Sequence, residues 1–336
     1  MEELIQTASL LMDPKKGLLA MDESTGTCNK RFAALGIPQT EEARRDWREL
    51  IINTPDLGSF VSGAILFDET IRQIKKDGIS MVKGLQNMGI IPGIKVDLGA
   101  VPMAGHNGEK ITEGLDGLRE RLQEYYKLGA RFAKWRAVVS MTKDIPSWGC
   151  IQANASSLAL YAALCQEAGL VPIVEPEILM DGDHNLDRSY SVTEQVLRSV
   201  FTHLYQQKVR LDGMILKPGM VHPGLKNSAL ISPSQIAKGT VNCFLNSVPA
   251  SVAGIAFLSG GQSGVEASEN LNAMHTQFPN LPWPLTFSFS RAIQQPALEI
   301  WQGKDSNIIE SQKALLHRAS CNAAARQGLY KPEMEK

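Results

Sequence analysis

LDGMILKPGMVHPG, residues 211–224, joins a short apolar strand to a lysine at its end. Pro218 and Gly219 directly follow Lys217 and must end the strand within a residue or two. An amine at the mouth of a buried strand is poorly solvated, which favours its neutral form. Because the neutral amine attacks carbonyls, Lys217 is a candidate Schiff-base nucleophile. The alternative is a lysine that ends a strand in solvent.

Seven other apolar, strand-like runs occur along the chain and end in polar residues. Most of them lead into a helical stretch. Such strand–helix repeats predict an α/β fold, a (β/α)8 barrel of the TIM type, built as a single domain over residues 1–336. A doubly wound open sheet is the alternative, but no GxGxxG follows an early strand. The predicted strands cover residues 17–24, 62–69, 91–97, 131–139, 171–179, 214–216, 253–259 and 284–289. The predicted helices cover 41–52, 71–76, 115–128, 153–168, 192–207, 265–276, 292–300 and 308–326.

Two terminal segments lie outside this repeat pattern. Residues 1–16 and the polar tail 328–336 are expected to be peripheral. The acidic N-terminus does not resemble a secretory signal, and no apolar run reaches the length of a membrane span. Five scattered cysteines without a CxxC pattern favour reduced thiols and a cytoplasmic location, although a mature organellar form, such as a plastid one, is also compatible.

Composition excludes some partners and favours others. A formal net charge of −1 gives no electrostatic case for binding nucleic acid or an anionic membrane. The six histidines lie far apart, without HxxxH, HExxH or a Cys/His ligand spacing, so their spacing predicts no metal site. The partners expected are small molecules, and no cofactor is predicted.

Charged residues cluster at the ends of the predicted strands. Strand side chains alternate between faces, so residues two apart point the same way, and catalytic groups of a barrel sit at the carboxyl ends of its strands. Burying so many charges is costly unless they neutralise one another, which favours one composite site over separate solvated strand ends. The residues concerned are Asp22 with Ser24, Lys95 with Asp97, Lys134 with Arg136, Glu175 with Glu177, and Lys217.

These residue types suit carbonyl chemistry. Lys134 is a second amine that is expected to lower the pKa of Lys217 by like-charge repulsion. Glu175 and Glu177 can transfer protons during formation of a carbinolamine and its dehydration, and Asp22 is a third carboxylate for removing an alcohol proton. The sequence therefore predicts a lysine nucleophile with its own acid and base.

Two candidate anion sites flank this cluster. The loop FLSGGQS, residues 257–263, joins the seventh strand to a helix and can present backbone N–H groups to a phosphate through Ser259 and Gly260. Arg291, just after the eighth strand, can add a guanidinium, and Ser288 and Arg136 are further candidates for contact with substrate. A second phosphate can be held on the opposite side by Ser24, Thr27, Lys30, Arg31 and Lys95.

With these pieces in this order, the chain resembles class I fructose-1,6-bisphosphate aldolase over nearly its whole length. The matching segments are LAMDESTG (19–26), GIKVD (93–97), FAKWR (132–136), VEPE (174–177), ILKPGMV (215–221) and FLSGGQS (257–263), followed by Arg291.

The resemblance implies a metal-independent lyase that cleaves fructose 1,6-bisphosphate into dihydroxyacetone phosphate and glyceraldehyde 3-phosphate. It implies that Lys217 forms the iminium, Glu175 is the acid/base of that step, Asp22 takes the C4 hydroxyl proton, and Lys134 and Glu177 orient charge around it. It assigns the 1-phosphate to Ser259, Gly260 and Arg291, and the 6-phosphate to Ser24, Thr27, Lys95 and Arg31. It further implies a homotetramer in glycolysis, gluconeogenesis or the Calvin cycle.

Three departures and three alternatives accompany this resemblance. Thr27 and Ser290 replace the more frequent Ser and Gly, and the chain ends at Lys336 without the terminal tyrosine of animal members, so Tyr330, another group or water must protonate the enamine. The alternatives are an aldolase for another phosphorylated sugar such as sedoheptulose bisphosphate, a transaldolase, or a scaffold on the same barrel. Two phosphate sites favour a bisphosphate, and the absence of a histidine cluster argues against a metal-dependent aldolase.

Overall fold

Eight parallel strands form a closed ring in the computed structural model, which describes residues 2–336. Each strand falls within or one residue outside one of the predicted apolar runs, so the predicted (β/α)8 barrel is confirmed and the open sheet is wrong. The barrel strands are β1 (Gly17–Ala20), β2 (Val61–Leu66), β3 (Ile91–Lys95), β6 (Phe132–Val139), β7 (Val171–Ile178), β8 (Ile215–Leu216), β9 (Gly254–Phe257) and β10 (Leu285–Phe289).

The strands follow one another around the ring in chain order, and β10 pairs in parallel with β1 to close it. Most predicted helices are confirmed, with boundaries that differ by a few residues. The helices are α1 (Glu2–Leu11), α2 (Thr25–Ala33), α3 (Glu41–Ile52), α4 (Asp68–Arg72), α5 (Met81–Asn87), α6 (Leu118–Lys127), α7 (Trp148–Glu167), α8 (Leu186–Gln206), α9 (Pro233–Ser247), α10 (Gly264–Gln277), α11 (Arg291–Trp301) and α12 (Ile308–Arg326).

One hairpin and the helices α1, α2, α5 and α9 were not predicted. The glycine-rich segment after β3 contains a hairpin of β4 (Gly99–Pro102) and β5 (Lys110–Glu113). Helix α5 follows α4, and α9 follows β8. The start of α9 has a sequence signal, because Ser232 and Gln235 form a capping box around Pro233.

The inward face of the barrel changes from apolar to charged along several strands. On β6, Phe132 packs in the apolar layer at the amino end, and Lys134 lies two residues further on. On β7, Ile173 is apolar and Glu175 follows it on the same face. The period of two therefore places the charges together at the carboxyl end, above an apolar floor.

The predicted peripheral segments both pack on the barrel. Helix α1 places Leu4, Ala8 and Leu11 against the inward side chains of the strands and covers the floor. Met1 lies outside the described residues. In the tail, the Tyr330 side chain is buried and Glu335 forms an ion pair with Arg318. Of the helices in residues 2–336, none is long and apolar enough to cross a membrane.

Candidate active site

A cavity of about 470 Å³ opens at the carboxyl ends of the barrel strands. It brings together all the predicted site residues except Lys30 and Arg31. The composite site expected from strand periodicity therefore exists as one space. The predicted residues that line it are Asp22, Ser24, Thr27, Lys95, Lys134, Arg136, Glu175, Glu177, Lys217, Ser259, Gly260, Ser288 and Arg291.

Lys217 owes its position to the early end of β8. Its backbone N–H donates to the carbonyl of Val174 on β7 at 2.8 Å, so the residue still belongs to the sheet edge. Pro218, which follows it, has no N–H to continue the ladder. Only 3 % of Lys217 is exposed, so its amine lies inside the cavity wall and not in bulk solvent.

Four side chains form a chain of alternating charge in this wall. Lys217 Nζ lies 3.1 Å from Glu175 Oε1, and Lys134 Nζ lies 3.1 Å from Glu175 Oε2. Lys134 Nζ also lies 2.7 Å from Asp22 Oδ2. All four residues are buried, so each charge depends on its neighbours for stabilisation.

The electrostatics of this chain favour ionised carboxylates. Burial opposes the charge on Asp22, but Lys134, Lys217 and Lys95 together outweigh it and lower the pKa of Asp22 to about 2. Burial likewise opposes the charge on Glu175, and Lys134 and Lys217 lower its pKa. Burial disfavours the Lys134 ammonium, yet Asp22 and Glu175 raise its pKa. Lys134 is thus a permanent cation beside two carboxylate bases.

Two further ion pairs occupy the neighbouring strands. Burial disfavours the charge on Arg136, but its ion pair with Glu177, helped by Glu175 and Asp97, outweighs burial and raises the pKa of the arginine. Lys95 Nζ lies 2.8 Å from Asp97 Oδ1 and donates to the Asp97 carbonyl at 2.8 Å. Glu177 therefore lies against Arg136, and its nearest cation is not Lys134.

The residues of the first candidate anion site lie together at one end of the cavity. Gly260 and Gly261 have φ of +60° and +105°, a left-handed conformation that favours glycine and turns the loop toward α10. Arg291 begins α11 beside this loop and lines the cavity. Ser288 Oγ is buried with no hydrogen-bond partner in residues 2–336, which leaves it available for a ligand.

Only some residues of the second candidate anion site line the cavity. Ser24 caps α2 and its Oγ lies 3.2 Å from Thr27 Oγ1, so both hydroxyls face the cavity together. Arg31 does not line the cavity, because its guanidinium pairs with Glu23 and donates to Gln295 at 3.2 Å. Lys30 is exposed and also lies outside the lining.

Sequence reasoning missed some of the wall. Glu23 lines the cavity, accepts from Ser290 Oγ at 2.9 Å and pairs with Arg48 at 2.7 Å. Lys110 adds a cation from β5, the second strand of the unpredicted hairpin. The heptapeptide GHNGEKI around Lys110, with its two glycines, is the only signal of a tight turn there.

Tyr330, the sole tyrosine of the tail, is not in this wall. It is 6 % exposed and its hydroxyl donates to Glu335 Oε1 at 2.8 Å. Among the described residues, the cavity lining contains no tyrosine.

Comparison with known proteins agrees with this geometry. A family model described as fructose-bisphosphate aldolase class-I matches residues 3–336. A protein of Xanthomonas campestris pv. campestris named probable fructose-bisphosphate aldolase class 1 is 55 % identical over 332 residues, which cover 98 % of this chain and 99 % of that protein. The chloroplastic fructose-bisphosphate aldolase 3 of Arabidopsis thaliana is 50 % identical over 334 residues, which cover 99 % of this chain and 85 % of that protein.

A solved structure shows the same architecture. The fructose-bisphosphate aldolase of Plasmodium falciparum, crystallised with TRAP and a small-molecule inhibitor, superposes with a TM-score of 0.97 at 47 % identity. The match covers 98 % of this chain and 95 % of the other. Together with the buried lysine–carboxylate chain, these matches identify the family. The chain belongs to the class I fructose-bisphosphate aldolases.

Proposed function

We propose that Lys217 forms the Schiff base in the reaction of this family, the aldol cleavage of fructose 1,6-bisphosphate to dihydroxyacetone phosphate and glyceraldehyde 3-phosphate. The observation that carries this assignment is the 3.1 Å contact between Lys217 Nζ and Glu175 Oε1 inside a buried wall. The pair joins a nucleophilic amine to a proton-transfer group without an intervening residue.

Glu175 serves iminium formation. The Lys217 amine attacks the C2 carbonyl, and Glu175 transfers the protons that convert the carbinolamine into an iminium and water. Lys134, a cation at 3.1 Å from Glu175 Oε2, stabilises the ionised carboxylate between transfers. The iminium is then the electron sink for breaking the C3–C4 bond, which is why the reaction proceeds without a metal.

Asp22 is the base for cleavage. Its lowered pKa keeps it ionised, so it can accept the C4 hydroxyl proton as the C3–C4 electrons move into the iminium. Glyceraldehyde 3-phosphate leaves and an enamine remains on Lys217. Because Tyr330 lies outside the cavity wall, we assign protonation of the enamine to another cavity group or to water.

The two ends of the cavity would hold the phosphates. Ser259, Gly260, Ser288 and Arg291 form the 1-phosphate site, where backbone N–H groups and a guanidinium suit an anion. Ser24, Thr27 and Lys95 form the 6-phosphate site. Arg136, oriented by Glu177, contacts the substrate between them.

Assembly and location are the remaining parts of the proposal. The family resemblance favours a homotetramer, and five free, buried cysteines suit the reducing cytoplasm. Light scattering of the purified protein tests the first point, and a monomeric mass would contradict it. Fractionation of the source cells with a tag-specific antibody tests the second.

Borohydride trapping tests the nucleophile. Reduction in the presence of fructose 1,6-bisphosphate should attach the ketose carbon skeleton to Lys217, as located by peptide mass spectrometry. Lys217→Ala should lose both the adduct and triose phosphate production, whereas Lys313→Ala on the exposed face of α12 should lose neither. Turnover in EDTA should be unchanged. An adduct absent from the wild type, together with no triose phosphate, would falsify the proposal.

A further inference from the structure

Three potential metal ligands meet outside the catalytic cavity. His317 and Cys321 lie on α12, and Glu335 lies in the C-terminal turn. One ligand atom from each lies within 4.8 Å of the other two. The residues line none of the catalytic wall, so the reaction described above gives them no role.

The fold brings these ligands together in two ways. His317 and Cys321 are four residues apart on α12, so their side chains share one face of the helix. The tail then returns to this face, because Tyr330 is buried and its backbone N–H donates to Asn272 Oδ1 at 3.0 Å. A turn at Pro332–Glu335 places the carboxylate beside the helix.

The spacing of the first two ligands fits a tetrahedral ion. Cys321 Sγ and His317 Nε2 are 3.7 Å apart. A zinc ion bound to sulfur at about 2.3 Å and to nitrogen at about 2.0 Å separates those two ligands by about 3.5 Å. A Glu335 carboxylate oxygen lies within 4.8 Å of both ligand atoms, so it is placed to supply a third position.

The carboxylate is already oriented by its other contacts. Arg318 pairs with Glu335, and the Tyr330 hydroxyl donates to Glu335 Oε1 at 2.8 Å. Arg318 is itself buried and donates to the Gly264 carbonyl at 2.6 Å, so it stays in place. Such outer contacts commonly fix a metal-binding carboxylate. An ion pair with Arg318 alone would account for the position of the Glu335 carboxylate. It would not account for the thiol of Cys321 and the imidazole of His317 beside that carboxylate.

The donor set selects the kind of ion. One thiolate, one imidazole and one carboxylate suit Zn²⁺ or Co²⁺, whereas Mg²⁺ and Ca²⁺ require oxygen ligands. On binding, the S–H bond of Cys321 breaks, a sulfur–metal bond forms and the proton goes to solvent. The two anionic ligands then offset the charge of the ion, and the fourth position is left to water or to the Met334 carbonyl, which lies 3.7 Å from Cys321 Sγ.

We propose that His317, Cys321 and Glu335 form a binding site for a divalent cation of the zinc class. The ion connects the C-terminal turn to α12 and so fixes the end of the chain. It is a structural site, independent of the carbonyl chemistry in the barrel.

Cobalt spectroscopy tests the site directly. Untagged protein titrated with Co²⁺ under reducing conditions should show a sulfur-to-cobalt charge-transfer band that saturates at about one ion per chain. Cys321→Ser should abolish the band, and His317→Ala should weaken Co²⁺ and Zn²⁺ binding at least about tenfold. The matched controls Cys243→Ser and His203→Ala should bind as the wild type does. No band in the wild type, or a band that survives Cys321→Ser, overturns the proposal.

Hydrogen exchange supplies a second readout that does not depend on the buried cysteine. Zn²⁺ should slow exchange of the backbone amides of residues 329–336 in the wild type, and Mg²⁺ should not. Because His317 is exposed, His317→Ala should fold normally yet lose this protection. Equal protection in the wild type and in His317→Ala means that Zn²⁺ binds elsewhere and refutes the assignment.

Discussion

The Lys134 ammonium lies 2.7 Å from the Asp22 carboxylate, and the same ammonium lies 3.1 Å from Glu175. One buried cation therefore neutralises the proposed base for carbon–carbon cleavage and the proposed acid/base of the Schiff-base step. This shared cation links the two halves of the reaction through charge, since a change at Lys134 alters both carboxylates at once.

Replacing Lys134 tests this link. Lys134→Met should lower the free energy of unfolding by about 3–5 kcal/mol, because it leaves two buried carboxylates without their common partner. It should also lower kcat. Urea unfolding and steady-state kinetics measure the two effects, with the exposed Lys313→Met as a control. If Asp22→Asn added to Lys134→Met restored no stability, the unpaired charge would not be the cause.

Glu175→Gln should reduce kcat by roughly 10²–10⁴-fold, since a positioned general acid/base contributes about that much. The amide keeps the shape of the side chain but cannot exchange protons with the carbinolamine. Rapid mixing with borohydride should show slower adduct formation at Lys217. Glu124→Gln, at an exposed surface pair, is the matched control. A normal trapping rate in Glu175→Gln would move the acid/base role to another residue.

Acid stability should depend on Asp22. Its folded pKa is about 2 against an ordinary value of 3.8, so ionised Asp22 stabilises the fold above pH 3.8, and this contribution is lost as the pH falls toward 2. The shift corresponds to about 2 kcal/mol. Unfolding measured between pH 5 and 2 should therefore show a shallower loss of stability in Asp22→Asn. Parallel curves for the two proteins would contradict the lowered pKa.

Arg291→Ala should raise KM for fructose 1,6-bisphosphate by roughly one to two orders of magnitude, the usual effect of losing a hydrogen bond to a charged group. The exposed Arg198→Ala on α8 is the control. For a substrate analogue that lacks the 1-phosphate, the variant and the wild type should have similar KM. An unchanged KM for the bisphosphate excludes Arg291 from the phosphate site.

Two glycines should respond oppositely to alanine. A Cβ at Gly93 on β3 would lie 2.2 Å from the Phe132 ring, so Gly93→Ala should destabilise the barrel by at least about 1–3 kcal/mol. Gly26, within α2, has nothing within 4 Å of its Cβ position, so Gly26→Ala should stabilise by about 0.5–1 kcal/mol. Thermal unfolding compares them. Similar shifts of the same sign would refute the steric argument.

The barrel and most of the residues that line its cavity could be predicted from local pattern. The period of two placed Lys134 with Arg136 and Glu175 with Glu177 on one face, and the structure keeps them there. This works because backbone geometry alone fixes which face a strand residue occupies. The proline after Lys217 likewise marked the end of its strand.

Which charged side chains pair with one another could not be predicted in the same way. Arg31 was expected at the 6-phosphate, but its guanidinium pairs with Glu23, the residue after Asp22. Glu177 was expected near Asp22 and pairs with Arg136. Lys110 reaches the cavity only because β4 and β5 fold back over the barrel. These outcomes depend on contacts between distant segments, which local sequence does not encode.

The zinc-class site illustrates the same limit. His317 and Cys321 have the i, i+4 spacing of a helical ligand pair, although the sequence was interpreted as having no Cys/His ligand spacing. Their third ligand, Glu335, is visible only once the tail has folded back onto α12.

The first strand pairs with the last, and Arg326 at the end of α12 donates to the carbonyls of Met12 and Asp13 beneath the floor. During synthesis on the ribosome, β1 and α1 therefore emerge long before their partners exist. The apolar side chains of the floor therefore stay partly exposed to solvent until nearly the whole polypeptide has left the exit tunnel. The protein is thus most exposed to aggregation late in translation, when a chaperone that shields apolar strands is of greatest use.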